Sequence, residues 1–309
     1  MTTVHILLAT YNGERFLSEQ LESIRLQKHT NWTLTVSDDG STDTTCDIVT
    51  QFANSVPQKV TLLSKEGSSL GPTSNFFRLM GHAPMTSGDD LIAFCDQDDV
   101  WFNDKLERAV HWHESCCEIP IRLYCSRTQF VTDQLVSIGL SPKLHRSPSF
   151  ENALVQNIAS GNTMVMSHGV LVALRQIDEK HSVWHDWTTY LVATALGGKI
   201  EFDDKPSLLY RQHANNVIGS NNGLQARLKR VLPILQGRYK SWSDMTTGAV
   251  SDISNQLPHH SAETFECFVH MRNLPNPIHR LIAFNKSKIR RQSTVSNLSL
   301  GLALLLGLA

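Results

Sequence analysis

From residue 4 to residue 116 the chain alternates short apolar runs with segments whose apolar residues recur every three or four positions, and this alternation restricts the available architectures more than any other feature. VHILLATY (4–11), WTLTVSDDGS (32–41), VTLLSKE (60–66) and LIAFC (91–95) read as strands. ERFLSEQLESIRLQ (14–27), with Leu17, Leu21 and Ile24 on one face, reads as a helix, as do TTCDIVTQFA (44–53), GPTSNFFRLMGHA (71–83) and NDKLERAVHWHESC (103–116). Asp43 stands where the second of these would be capped. Strands separated by helices with short connections predict an α/β fold with a mostly parallel sheet covered on both faces.

In such sheets ligands sit beyond the carboxyl ends of the strands. The residues there are Thr10, Tyr11 and Asn12, then Asp38-Asp39-Gly40-Ser41, then Asp96, Asp98 and Asp99 of FCDQDDVW, so the unusual polar groups converge on one edge. The second half is less regular. Residues 122–132 read as a strand, 151–159 as a helix, 161–177 as strand then helix, and 185–198 as a helix ended by glycines, before the strands KIEFDD and SLLYRQH. Beyond about Asn222 the sequence is helical and basic, which sets expected domains of 1–220 and 221–309.

Three carboxylates in four positions need an explanation. Two like charges at about 4 Å repel by about 4 kcal/mol at an effective dielectric near 20. Open water, protonation or a bound cation offsets that. A calcium loop starting at Asp96 fails, because Val100 and Trp101 occupy its fifth and sixth positions, where a ligand and a glycine are needed. A phosphatase-type Asp-x-Asp lacks the accompanying lysine and acidic partners. A solvated acidic turn is the plain alternative, but the Val100-Trp101-Phe102 that follows argues against free solvation. One Mg2+ or Mn2+, completed by phosphate oxygens and water, suits the cluster better.

The other motifs each carry two readings. Asp38 and Asp39 either close an Asx turn with Gly40 and Ser41, or present a carboxylate to the N3–H of uracil or thymine. His181 and His185 have metal-pair spacing without a third ligand nearby. Asp186 is either a charge favourable to a helix N-terminus or a general base. Arg211 and His213 either meet a diphosphate or are structural.

Composition excludes several classes. Lys+Arg 28 against Asp+Glu 29 leaves a formal net charge of -1, so no whole-molecule field draws the protein onto nucleic acid. Six cysteines (46, 95, 116, 117, 125 and 267) without a Cys-x-x-Cys pair read as reduced thiols of a cytoplasmic protein. Gly-x-Gly-x-x-Gly, the P-loop and His-Glu-x-x-His are absent. No basic leader and no 18-residue apolar segment is present. Lys286, Lys288, Arg290 and Arg291, with Arg280 nearby, precede the 12-residue apolar run Leu298–Ala309. That order suits a helix lying on an anionic inner leaflet. Packing on the protein's own core is the alternative.

The segments ATYNGERFLSEQLESI, VSDDGSTD, FCDQDDVW with KL three residues on, SGNTMVM, HDW and YRQH resemble, in this order, the family 2 glycosyltransferases of GT-A (nucleotide-sugar-binding) fold. The DQDDVW form, with GNTMVM, HDW and YRQH, is most similar to bacterial rhamnosyltransferases that build O-antigens and cell-wall polysaccharides. The resemblance spans residues 4–217 and stops before the C-terminal tail. It implies that Thr10, Tyr11 and Asn12 contact the nucleotide, Asp38 and Asp39 serve the pyrimidine, Asp96 and Asp98 touch ribose and metal, and Asp98 and Asp99 hold Mg2+ or Mn2+. Arg211 and His213 would close over the diphosphate. Asn162, Thr163, His185 and Trp187 would shape the substrate pocket, and Asp186 would act as base in an inverting transfer. The implied donor is dTDP-L-rhamnose or a UDP-sugar, and the implied acceptor a lipid-linked oligosaccharide met at the cytoplasmic face of the inner membrane, with no role for nucleic acid. A degenerate subunit that binds a nucleotide-sugar without catalysis is the alternative from another class.

Overall fold

The computed structural model describes residues 2–64, 71–84, 88–212 and 238–308. His213 lies outside the described residues. In chain order the elements are β1 (Val4–Thr10), α1 (Leu17–Arg25), β2 (Trp32–Asp38), α2 (Thr45–Ser55), β3 (Val60–Leu63), α3 (Pro72–His82), β4 (Leu91–Cys95), β5 (Val100–Trp101), α4 (Lys105–Glu114), β6 (Arg122–Ser126), β7 (Gln129–Val131) and β8 (Ser137–Leu140). They continue with α5 (Phe150–Ala153), β9 (Val165–Ser167), α6 (His168–Leu174), α7 (His185–Ala195), β10 (Lys199–Asp203) and β11 (Leu208–Arg211). Four helices follow residue 237: α8 (Arg238–Asp252), α9 (His259–Asn273), α10 (Pro277–Lys286) and α11 (Thr294–Leu305).

These elements cluster into two compact units. The first comprises Met1–Lys143, Ala159–Arg175 and Gly198–Asn216. The second comprises Leu144–Ile158, Gln176–Gly197 and Val217–Ala309, and so takes α5 and α7 from the part of the chain before residue 220.

The first unit is built on a seven-stranded sheet of order β10-β6-β9-β4-β1-β2-β3. All its pairings are parallel except those of β9, which runs antiparallel between β4 and β6. The uninterrupted apolar run Ile6-Leu7-Leu8 follows from helices on both sheet faces, since a strand covered twice has no polar side. Leu17, Leu21 and Ile24 of α1 pack into the same core as Ile6, Leu8, Leu34 and Val36. Burying each such side chain contributes about 1.5–3 kcal/mol. Pro72 opens α3, where its missing N–H costs nothing. A smaller sheet, β5-β11-β7-β8, flanks this core. Parallel register sets Thr10 opposite Asp38 and Leu8 opposite Cys95, so the chain leaves β1, β2 and β4 at one edge.

In the second unit Trp187–Ala195 of α7 is buried throughout, and Tyr190 Oη accepts from Ser149 N at 2.9 Å beside α5. Helices α10 and α11 pack against each other at Gly301, where an added Cβ would meet Leu281 Cδ1 at 3.3 Å. Among the described residues no helix is long and apolar enough to cross a membrane.

Candidate active site

At the shared carboxyl edge of the first unit, three loops are tied together by their own polar groups. Asp38 is buried and fully engaged: Oδ1 accepts from Thr10 Oγ1 at 2.9 Å and Ser41 Oγ at 2.5 Å, while Oδ2 accepts from the N–H groups of Gly40 (3.0 Å) and Ser41 (2.8 Å). This is the Asx-turn reading, and it takes Asp38 away from the nucleotide contact expected of it. Asp39 is half-buried, and its Oδ2 accepts from Gly71 N at 2.8 Å. Asn12 adopts a left-handed backbone (φ 45°) and accepts from Thr42 N at 2.9 Å, while Tyr11 is 51% exposed.

Gln97, absent from the expected site, joins the first loop to the aspartate cluster. Its Oε1 accepts from Tyr11 N at 2.9 Å and its Nε2 donates to Tyr11 O at 3.0 Å. Gly13 leaves room for it, because a Cβ there would overlap the Gln97 amide and push it off the Tyr11 peptide group. That close approach is the sequence signal that could have found Gln97: a glycine after Tyr11-Asn12 and an amide between two aspartates.

The aspartate cluster divides. Asp96 and Asp98 are half-buried at the rim, whereas Asp99 is 1% exposed and turned inward. Asp99 Oδ2 accepts from Asn162 Nδ2 at 2.5 Å, and Lys105 Nζ donates to Asn162 O at 2.6 Å while lying 4.4 Å from the Trp101 ring centre. Burial, reinforced by Asp98 and Asp96, holds the Asp99 carboxyl well above the usual carboxylate range, and burial pushes Lys105 down to about 7. The Asp99 side chain is buried and turned onto Asn162, away from the rim where Asp96 and Asp98 stand, and the expectation that it ligates a metal is corrected.

Three further expectations change for the same reason. Asn162 and Thr163, expected at the substrate, are fully buried; Thr163 Oγ1 donates to Ser160 O at 2.8 Å. Arg211, expected at a diphosphate, is 1% exposed and stacked 4.5 Å from the Phe16 ring centre. Its Nε donates to Asp98 O at 2.9 Å, its Nη1 to Asp133 O at 2.5 Å, and its Nη2 pairs with the Glu19 carboxylate. Arg211 thus fixes the backbone that carries Asp98.

The second unit holds the HDW segment at the start of α7. Asp186 is half-buried, and its Oδ1 accepts from Trp187 N at 2.6 Å. Trp187 is buried, donates Nε1–H to Ala153 O at 2.7 Å and meets Trp242 edge-on, so it is a core residue of this unit and not a sugar platform. His181 Nδ1 bonds Asp252 Oδ2 at 2.8 Å, which removes it from a metal pair with His185.

His185 and His113 set a pH dependence of stability. Burial pushes each imidazole down to about 3. His113 keeps that neutral form within its bonds, Nε2 to Val165 O at 3.1 Å and Nδ1 to Arg122 Nε at 3.3 Å. Below an unfolded pKa near 6.5 the unfolded chain takes up protons that the folded chain refuses, so their contribution falls as pH drops from about 6.5 towards 3. At about pH 4.5 the loss is about 2–3 kcal/mol per histidine. Urea midpoints should therefore fall between pH 7 and about pH 4.5. His113→Gln, which keeps a donor and an acceptor, should flatten that fall; an equally steep fall in the variant contradicts the assignment.

Among the described residues no group of three His, Cys, Asp or Glu side chains converges as a complete metal cage. Two rim carboxylates remain, Asp96 and Asp98. Hard oxygen donors in that number suit Mg2+ or Mn2+, which keep several waters and take further ligands from substrate phosphates.

The fold recurs in solved structures. The chain is similar to S. aureus TarS 1–349 in complex with UDP-GlcNAc, with a TM-score of 0.56 and 17% identity over 99% of this chain and 92% of that one. It is also similar to the mannosyltransferase PcManGT from Pyrobaculum calidifontis in complex with GDP-Man and Mn2+, with a TM-score of 0.53 and 15% identity over 99% and 85% of the two chains. The fold is that of the GT-A glycosyltransferases. The profile of Glycosyl transferase family 2 matches residues 5–181, more than half of the chain, and the chain belongs to that family. Relatives include dTDP-rhamnosyl transferase RfbG of Shigella flexneri, 31% identical over 264 residues, which is 81% of this chain and 88% of the relative. Another is UDP-Glc:alpha-D-GlcNAc-diphosphoundecaprenol beta-1,3-glucosyltransferase WfgD of Escherichia coli, 32% identical over 107 residues, 35% of this chain and 39% of that one.

Proposed function

We propose that this protein is an inverting rhamnosyltransferase that moves L-rhamnose from dTDP-L-rhamnose to a hydroxyl of a lipid-linked bacterial surface polysaccharide, such as an O-antigen, at the cytoplasmic face of the inner membrane. The supporting observation is the union of three strand ends at one edge, where Gln97 ties the Tyr11 loop to Asp96 and Asp98. Similarity to a dTDP-rhamnosyl transferase along most of both chains favours this donor over other nucleotide-sugars.

In this reading Tyr11 and Asn12 border the base, and the Asp39 carboxylate accepts its N3–H. Thymine and uracil offer a donor there, and cytosine an acceptor, so a carboxylate selects against cytosine. Asp96 and Asp98 would hold Mg2+ or Mn2+, which when bound neutralises the diphosphate of the leaving nucleotide. Asp98 is kept at the rim by Arg211 on its carbonyl and by Asp99 drawn inward on its other side. Asp186 takes the proton from the acceptor hydroxyl as that oxygen attacks the anomeric carbon from the face opposite the leaving group. One base suffices because the leaving group is already activated and no glycosyl-enzyme intermediate forms, unlike the two-carboxylate chemistry of retaining glycosidases.

Thermal shift against dTDP-L-rhamnose, UDP-glucose, UDP-GlcNAc and GDP-mannose, with and without Mn2+, tests the donor. At a hundredfold excess over Kd the right donor stabilises by about 2.7 kcal/mol. The largest shift is expected with dTDP-L-rhamnose plus Mn2+, and EDTA should abolish both the shift and transfer. A larger shift with GDP-mannose, or transfer indifferent to EDTA, counts against this reading. Donor binding without transfer to any acceptor supports the non-catalytic alternative.

A further inference from the structure

We infer that the outer face of the α10–α11 pair docks on the surface of an anionic phospholipid bilayer. This deepens the membrane contact named above but rests on the pair's own geometry, not on the transfer chemistry. The inner side of α11 is packed: Leu300, Gly301, Ala303 and Leu304 are buried. Its outer side is a stripe of Val295, Leu298, Leu302 and Leu306, between 47% and 72% exposed, at the three- and four-residue spacing of one helix face. On α10, Ile278 and Ile282, 62% and 46% exposed, stand one turn apart. No charged residue occurs anywhere in α11. A helix facing only water has no reason to present such a stripe, because contiguous exposed apolar surface marks a site of interaction.

Charge identifies the occupant. From Cys267 to Ala309 the sequence contains Arg272, Arg280, Lys286, Lys288, Arg290 and Arg291 but no Asp or Glu. Lys286 and Lys288 are exposed and have no partner among the described residues. At the start of the stripe, Val295 shares a cavity of about 660 Å³ with His145 and Arg146, and the Arg146 guanidinium likewise has no partner among the described residues. An apolar stripe rimmed by unneutralised cations matches an anionic leaflet, into which such a helix sinks its apolar side while its basic groups meet the headgroups. A second copy of the chain would bring the same cations against themselves.

Co-sedimentation of the full chain with phosphatidylcholine vesicles, with and without phosphatidylglycerol, tests this. No donor is present, so the result is independent of the transfer reading, and an inactive enzyme that binds vesicles leaves the docking face standing. The bound fraction should be about tenfold higher on the anionic vesicles and should fall as salt screens the headgroups. Leu298→Glu/Leu302→Glu should lower it about tenfold or more. Lys286→Glu/Lys288→Glu, which alters only exposed side chains and so preserves the fold, should do the same. Wild-type protein left in the supernatant overturns the proposal, as does unchanged binding by both variants. So does a concentration-dependent dimer, seen by light scattering, that the leucine variant dissociates without changing vesicle binding.

Discussion

Asp186→Asn should lower sugar transfer by about 10²–10⁴-fold, the range that a positioned general base supplies, and leave donor affinity nearly unchanged. The substitution is close to isosteric. Its amide oxygen can still accept from Trp187 N, the bond that Oδ1 makes at the start of α7. What disappears is the capacity to take a proton and one negative charge in the first helical turn, and the latter is worth only about 0.3–1 kcal/mol of stability. A structural role therefore predicts a slightly less stable but active enzyme, and a base predicts a stable, donor-binding, inactive one. Thermal shift with the donor, run beside single-turnover transfer, separates the two. Transfer at wild-type rate would remove Asp186 from the chemistry.

Arg211→Ala should destabilise the protein by about 3–5 kcal/mol, because two backbone carbonyls lose charge-assisted partners and a buried slot beside Phe16 is left unfilled. Glu19, whose side chain is 54% exposed, can return to water, so most of the cost falls on the carbonyls of Asp98 and Asp133. Arg211→Lys should recover little, since a point charge with three donors cannot span three acceptors that the planar guanidinium fork reaches at once. Urea unfolding measures this. If the alanine variant unfolds like wild type while its KM for donor rises, Arg211 meets the diphosphate after all and the structural assignment fails.

The sheet was legible because β1 and β4 are short, mostly continuous apolar runs and β2 alternates Trp32, Leu34 and Val36 with polar residues, between amphipathic segments such as Leu17–Leu21–Ile24. Strand-end position also brought Thr10, Asp39 and Asp96 to one edge. The insertion of β9 between β4 and β6 was not legible: Val165–Ser167 has too few residues to state a direction. The small sheet escaped for the same reason, since β5 is only Val100–Trp101. Residues 176–197 read as part of the first domain because pattern reports periodicity along the chain and says nothing about which core a segment joins. Side-chain direction was the other blind spot. Asp98 and Asp99 are adjacent and chemically identical, yet one stands at the rim and the other is sealed against Asn162 and Lys105. Charge alone suggested a metal for both, whereas the burial of Asp99 could be found only in three dimensions.

The paired amide contacts between Gln97 and Tyr11 bear on any attempt to redesign donor choice. In the proposed reading one of these loops faces the base and the other the phosphates, and loops joined in this way would behave as one cassette. Grafting residues 10–13 from a relative that uses a different nucleotide, while keeping the resident 96–98 turn, would leave a peptide group unmatched on one side or a clash at Gly13 on the other. Successful exchanges should move both loops together.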